Sequence, residues 1–454
     1  MTRRAWTALT LALAFATARL DAQAGPVRLS ADDAVHRALA TSHALRAKRD
    51  ETDAVRFGLS AESADMLPHL MLVAQRAGQQ VFDTAGLNVP QFLALPNFPT
   101  NIINRLYTRA SLVVPLTDYA LRLRPLQAAG ACTVDAARRS EETTALAIES
   151  ATRTAYYEWI KAALRSSFAD QLQHRASAHL AVALSARRAG TTLDADVLRL
   201  RADSAAAAAE IARAVGDVEI ATATLQLLTH DPAGTIYEPS SPAEESGASD
   251  ESLTALLAEA QRRRPEPREL EATAAALSKQ SRAERGGTYP QLEGFVEIVS
   301  ANPHPDLVSI TNNRYNTWEF GLRAVWSTTN LRAGSATARA YGARAAGAKE
   351  EAAVMRDSLR AEVVRAYSQL KQTRAVVGAL RAAKDASAEA LYVRAAQSRR
   401  GDVTPAQLAD TEVEAARSVV ELQTAWADVR IAEARLARAV GRGSAAPLAS
   451  GCGR

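Results

Sequence analysis

Along most of this chain apolar residues recur in steps of three and four, the spacing of one face of an α-helix. From about Asn330 to Arg400 only scattered glycines interrupt the pattern, and roughly 70 residues at 1.5 Å each predict a rod of about 100 Å. Val363, Ala366, Leu370, Thr373, Val377 and Leu380 make one seam there, and Ala415, Val419, Leu422, Trp426 and Val429 make a second on the following segment. Their small residues suit closely packed heptad stripes. Elsewhere the period changes to two. Trp318, Phe320, Leu322, Ala324 and Trp326 alternate with Glu319, Gly321, Arg323 and Val325. An apolar face opposite a polar one over about ten residues, with aromatics at the ends, is how a transmembrane barrel strand reads. Leu292, Val296 and Ile298 against Gln291, Glu293, Phe295 and Glu297 repeat it less cleanly, and Leu67–Gln75 and Leu106–Val114 more weakly.

These patterns occur twice in the same order. Tyr156 and Tyr367 each lie 34 residues before a glycine, Gly190 and Gly401, so the copies are offset by 211 at both landmarks. Val114-Pro115-Leu116-Thr117-Asp118 matches Trp326-Ser327-Thr328-Thr329-Asn330 at an offset of 212. Leu67-Pro68-His69-Leu70 matches Tyr289-Pro290-Gln291-Leu292 at 222, which places an insertion of about ten residues in a loop of copy one, where length costs little. Each copy predicts a helix (Ala31–Met66 and Ser252–Arg285), two strands around a polar loop (Gln79–Asn104 and Ser300–Arg314), a very long helix, a glycine turn and a return helix.

The organisation expected is therefore a signal peptide over 1–24, a first repeat over 25–231, a Pro/Gly/Ser-rich linker over 232–250, a second repeat over 251–441 and a flexible tail over 442–454. Arg3 and Arg4 precede the apolar run Ala5 to Ala18, and Ala22-Gln23-Ala24 supplies small residues for cleavage, as in a secretory signal. Gly25 follows, where an N-terminal lipid anchor would need cysteine. No later segment is long and apolar enough for a membrane helix, so membrane entry would require a β-barrel. Four strands cannot close one, because about eight is the fewest that commonly do. Three chains would bring about twelve.

Composition adds mainly exclusions. Aromatics are 5% and the formal net charge is +4, with arginines interleaved among acids, so no nucleic-acid surface is expected. The histidines (His36, His43, His69, His174, His179, His230 and His304) are scattered, and His174 and His179, five apart, do not share a helix face. No metal-ligand spacing, phosphate loop or nucleophile elbow appears, so no cofactor, metal or catalytic activity is expected. Cys132 in an Ala-rich helix reads most simply as a small buried side chain, and Cys452 lies in a Gly/Ser tail. Their pairing stays open at this point.

The chain resembles the TolC-type outer-membrane factor family over nearly its whole mature length. The likeness rests on Leu29-Ser30-Ala31-Asp32-Asp33-Ala34, the two strand openings, Val114-Pro115-Leu116, the Ala-Tyr pairs, and the turns Gly190-Thr191-Thr192-Leu193 and Gly401-Asp402-Val403-Thr404. It departs from the family at the strand-to-helix junctions, around Thr117, Tyr119, Thr329 and Leu331. The resemblance implies a mainly α fold with a small β part. Long helical hairpins would form a trimeric α-barrel, joined to a transmembrane β-barrel with four strands from each chain. The implied function is a passive exit duct of a tripartite efflux pump or type I secretion system, in the outer membrane and reaching into the periplasm. Its partners would be two further copies, outer-membrane lipid, a periplasmic adaptor and, indirectly, an inner-membrane transporter. The alternative is a soluble periplasmic coiled-coil scaffold or adaptor without a barrel.

Three sets of residues are candidates for function. Trp318, Phe320, Leu322 and Trp326 would face lipid, with Glu319 on the lumen side. Gly190, Thr191, Thr192 and Leu193, with Gly401, Asp402, Val403 and Thr404, would form a periplasmic tip that docks the adaptor, since they break the long hairpins. The resemblance further implies acidic residues six and nine positions beyond the second tip glycine, where Gln407 and Asp410 stand, and Asp196 lies six beyond Gly190. A carboxylate ring at the pore end would favour cations. With Gln407 neutral, one ring is expected, at Asp410.

Overall fold

The structure, a computed structural model, describes residues 26–78, 104–240, 251–302, 314–400, 402–403, 405–443 and 452. The predicted signal segment 1–24, most of the two inter-strand loops, Gly401, Thr404 and most of the tail lie outside the described residues. Two compact units emerge, 1–45 with 144–263 and 359–445, and 46–143 with 264–358 and 446–454. They cut across the repeats: each unit takes the corresponding part of both copies.

The first unit begins with strand β1 (Val27–Leu29) and helix α1 (Ala31–Thr41). Ser30 caps α1 in a capping box, its hydroxyl accepting from the Asp33 amide while the Asp33 carboxylate accepts from the Ser30 amide. The Ser30 hydroxyl also donates to the Asp33 carboxylate at 2.6 Å, and that bond, with the one from the Ser30 amide, holds the Asp33 carboxyl below its ordinary range. The strand β4 (Tyr237–Pro239) pairs in parallel with β1, so part of the segment read as linker is ordered backbone. Leu29, Tyr156, Trp159, Ile160, Leu225 and Tyr237 pack together around it. The Trp159 and Tyr237 rings meet edge to face at 6.0 Å, and the Tyr156 hydroxyl donates to the Leu29 carbonyl at 3.0 Å. Burial pushes the Tyr156 phenol up to about 12. Tyr367, its counterpart in the second copy, packs beside Val363, Leu256 and Val440.

Each predicted opening helix proves to be two. Helix α2 (His43–Ala64) follows α1 after Ser42, and α6 (Leu253–Arg263) gives way to α7 (Pro265–Gly286) at Arg264. The breaks stand 222 residues apart, the offset of the strand openings. Pro265 drives Arg264 into an extended conformation, φ −64 and ψ 126, because a proline ring clashes with a helical predecessor. Ser42 does the same work through its side chain, accepting from the Leu45 amide at 3.3 Å.

The long hairpins are α4 (Arg124–Arg188) with α5 (Asp194–Thr229), and α8 (Thr328–Arg400) with α9 (Pro405–Val440). Val363, Leu370 and Val377 are buried at intervals of seven, as the seam on α8 predicts. The seam on α9 differs at its start. Val419 is exposed and Ser418 is buried, its hydroxyl 2.7 Å from that of Ser387 on α8. A small hydroxyl that finds a partner lets the backbones approach where the branched valine would not, so the larger apolar residue is turned outward.

In the second unit α3 (Leu116–Asp118) and a π-helical turn (Tyr119–Leu123) lead from the sheet into α4. The end of α7 lies against that turn so closely that a Cβ at Gly286 would collide with the Leu121 carbonyl. The sheet has the order β2–β3–β5–β6, from β2 (His69–Gly78), β3 (Asn104–Pro115), β5 (Gln291–Asn302) and β6 (Tyr315–Val325), every neighbour antiparallel. Trp326, expected in the last strand, stands just beyond it.

Candidate functional site: the four-stranded sheet and the hairpin turns

Residues directly opposite one another in an antiparallel ladder share a face. Leu70 pairs with Leu112, Leu112 with Val296 and Val296 with Phe320, giving an apolar row across all four strands. The next row runs Leu72, Ala110, Ile298 and Trp318. This face is bare. Trp318, Phe320 and Leu322 are 72%, 67% and 70% exposed, and the Trp318 and Phe320 rings stack at 5.6 Å. Exposed apolar patches of such continuity mark surfaces that meet lipid or another protein.

The opposite face carries charge. Arg109 pairs with Glu297 at 3.0 Å and Arg323 with Glu293 at 2.9 Å, while the register sets Glu297 against Glu319. The Arg323 guanidinium also lies over the Phe295 ring. In copy one Met71 and Val73 take this side, which is why the alternation there reads weakly. Among the described residues, strands β2 and β6 each leave one edge unpaired, a row of backbone donors and acceptors that hydrocarbon does not tolerate. Just past β6, the Trp326 indole donates to the Thr288 carbonyl at 3.3 Å. No described helix is long and apolar enough to cross a membrane.

The two hairpin turns share a capping hydrogen bond. Gly190 has φ +74, a left-handed conformation natural to glycine, and its amide donates to the Arg187 carbonyl while that of Thr191 donates to Ala186. In copy two the Asp402 amide donates to Gln397, the bond equivalent to Thr191–Ala186. Leu193 is 73% exposed, Thr191 and Asp402 are exposed, and Thr192 and Val403 are half-buried. Gly401 and Thr404, assigned to the same turn, lie outside the described residues.

Of the pore candidates, Asp196 and Gln407 are exposed, and Asp410 is 70% exposed with its Oδ2 3.8 Å from Arg199 Nη2. Sequence reading missed Arg199. The signal was available, since Arg199 stands nine residues after Gly190 as Asp410 stands nine after Gly401. Among the described residues no group of three or more His, Cys, Asp or Glu is placed to hold a metal.

The sequence model for the outer membrane efflux protein family matches residues 256–442. No curated protein sequence matches the chain. Among solved structures, the Neisseria gonorrhoeae MtrE outer membrane channel, in its open state, is 18% identical with a TM-score of 0.71, covering 92% of this chain and 91% of its own. The Campylobacter jejuni CmeC outer membrane channel is 14% identical with a TM-score of 0.73 over 91% of this chain and 86% of that one. The Vibrio cholerae outer membrane protein VceC is 15% identical, TM-score 0.71, over 90% and 96%. The fold is that of the TolC-type outer-membrane factors. Residues 256–442, the stretch that matches the outer membrane efflux protein family, lie in the second of the two copies.

Proposed function

We propose that the chain is one subunit of an outer-membrane channel, the exit duct of a tripartite efflux pump or type I secretion system. Three copies close their sheets into one transmembrane barrel, and their helical hairpins line a conduit into the periplasm. The sheet carries this reading: one face is apolar and bare across four strands, while the other bears ion pairs. A soluble scaffold would leave that apolar face in water, at a cost of roughly 25 cal/mol for each Å². In the barrel it meets lipid, and both open strand edges find partners.

Trp318, Phe320 and Leu322 then face the acyl chains, and Trp326 sits at the interface, where an indole can keep one end polar. The turns at Gly190 and Gly401 dock a periplasmic adaptor, which joins the duct to an inner-membrane transporter. Leu193, exposed beside a rigid cap, is the apolar contact such docking needs. The chain conducts and does not convert its cargo.

Fractionation decides between duct and scaffold. The full chain should partition with the outer membrane, crosslink as a trimer and migrate differently on gels before and after heating. A monomer in the periplasmic fraction would overturn the reading.

A further inference from the structure

Cys132 on α4 and Cys452 are joined by a disulfide that spans 320 residues of sequence. The two sulfurs differ in surroundings. Cys132 is fully buried, whereas Cys452 is half-buried. Lys279 on α7 places its Nζ 3.2 Å from Cys132 Sγ, 3.2 Å from the Cys452 carbonyl oxygen and 3.4 Å from the Ala128 carbonyl oxygen. An ammonium against sulfur favours thiolate over thiol, and the thiolate is what a disulfide expels when its other sulfur is attacked. Exposure and charge thus agree on one direction of attack.

We propose that Cys132–Cys452 is a redox-labile clasp, an exchange site for a dithiol that attacks at Cys452 and expels Cys132 as a thiolate held by Lys279. The incoming thiolate bonds to Cys452 Sγ as the Cys132–Cys452 bond breaks, and the bonding pair leaves on Cys132 Sγ. The second thiol of the reagent, giving its proton to solvent, then displaces Cys452, which takes a proton from water. The clasp ends as two thiols and the dithiol as a disulfide. A disulfide-bearing oxidant of the periplasm runs the sequence backwards and closes it. Reduction frees Cys452 from α4, so the clasp makes the link between these two residues depend on the redox state outside the cytoplasm. The compartment rests on the outer-membrane reading above; the exchange chemistry does not.

The test uses the purified full chain, native in detergent, exposed to dithiothreitol at pH 7 and sampled by thiol-reactive polyethylene glycol for gel shift. Two thiols should appear together, without denaturant. Lys279→Met should slow their appearance about threefold to tenfold, and Lys279→Arg should largely restore it. If Lys279 only packs α7 against α4, its loss loosens the site and accelerates reduction, the opposite sign. An unchanged or faster rate in Lys279→Met, reduction that requires denaturant, or two free thiols in the protein as isolated would each overturn the clasp. Should fractionation place the chain outside the outer membrane, this rate comparison still reads the exchange site.

Discussion

Arg199 and Asp410 occupy the same place in the two repeats, nine residues beyond Gly190 and Gly401, and they face each other with 3.8 Å between Nη2 and Oδ2. Duplication followed by divergence has put opposite charges at equivalent positions. In a threefold assembly these positions would alternate, three arginines with three aspartates, so the acidic ring expected at Asp410 carries its own counter-charge. Both side chains are 70% exposed, and such pairs contribute about 1 kcal/mol at most. If they line the pore, as proposed, their effect falls on its field rather than on stability. Arg199→Gln should therefore raise cation preference in planar-bilayer conductance, and Asp410→Asn should lower it. A silent control should come from a carboxylate elsewhere on α9, and Asp428 is unsuitable because it pairs with Lys161 at 2.7 Å. Glu414, exposed on the same helix and only loosely paired, with Arg417 at 3.9 Å, serves better. Equal selectivity in all three variants would remove both residues from the pore.

The two faces of the sheet should respond differently to charge. Leu322 belongs to the bare face, and an arginine there would sit in hydrocarbon at a cost of about 2–4 kcal/mol near mid-bilayer. Leu322→Arg should sharply reduce the amount of heat-modifiable trimer. Glu319 lies on the charged face opposite Glu297, whose partner is Arg109. Glu319→Gln relieves one like-charge neighbour and should leave assembly intact. Similar trimer yields from both variants would mean the face assignment is wrong.

What could be read beforehand was whatever repeats. Two tyrosines with matching distances to two glycines expose the duplication, and alternation over Trp318–Val325 gives the direction of the strand faces. Less visible were features made by contact between distant segments. The β1–β4 pairing joins two three-residue strands far apart in sequence, too short to show a period. The helix break at Pro265 was signalled by the proline itself, but the one at Ser42 needs a cap whose local signature is a single serine. The partner of Cys132 lies 320 residues away, a distance no spacing rule bridges. Arg199 was overlooked for a different reason: attention fell on carboxylates alone, whereas a pore responds to the sum of charges around it.

The turn at Gly190 separates backbone geometry from recognition. A Cβ there meets nothing within 4 Å, so Gly190→Ala costs only the strain of a left-handed φ, about 1–2 kcal/mol. Such a variant should assemble normally. Leu193→Glu leaves the cap untouched and replaces an exposed apolar contact with a charge, so export should fall while trimer content stays constant. Export that survives both Leu193→Glu and Val403→Glu would place adaptor docking elsewhere.

Just past the end of α9, Arg442 ties the chain to α6 by charge, and acid should loosen that tie. Arg442 Nε donates to Glu259 at 3.0 Å and Nη1 to Glu251 at 3.2 Å, and Glu259 also pairs with Arg263. The hydrogen bond from Arg442 holds the Glu259 carboxyl below its ordinary range, and the same contacts raise the guanidinium. A carboxyl depressed in the folded state stabilises that state above the ordinary glutamate pKa, and the gain is lost as pH falls through the folded value. The loss should therefore begin below about pH 4.5 and leave neutral behaviour untouched. Solvent reaches these side chains, 37% for Arg442 and 17% for Glu259, which limits the contribution to about 1 kcal/mol. Arg442→Met should lower the melting temperature at pH 7 and flatten its decline between pH 5 and 3. Melting curves for the variant that run parallel to the wild type over that range would assign the acid sensitivity to other carboxylates.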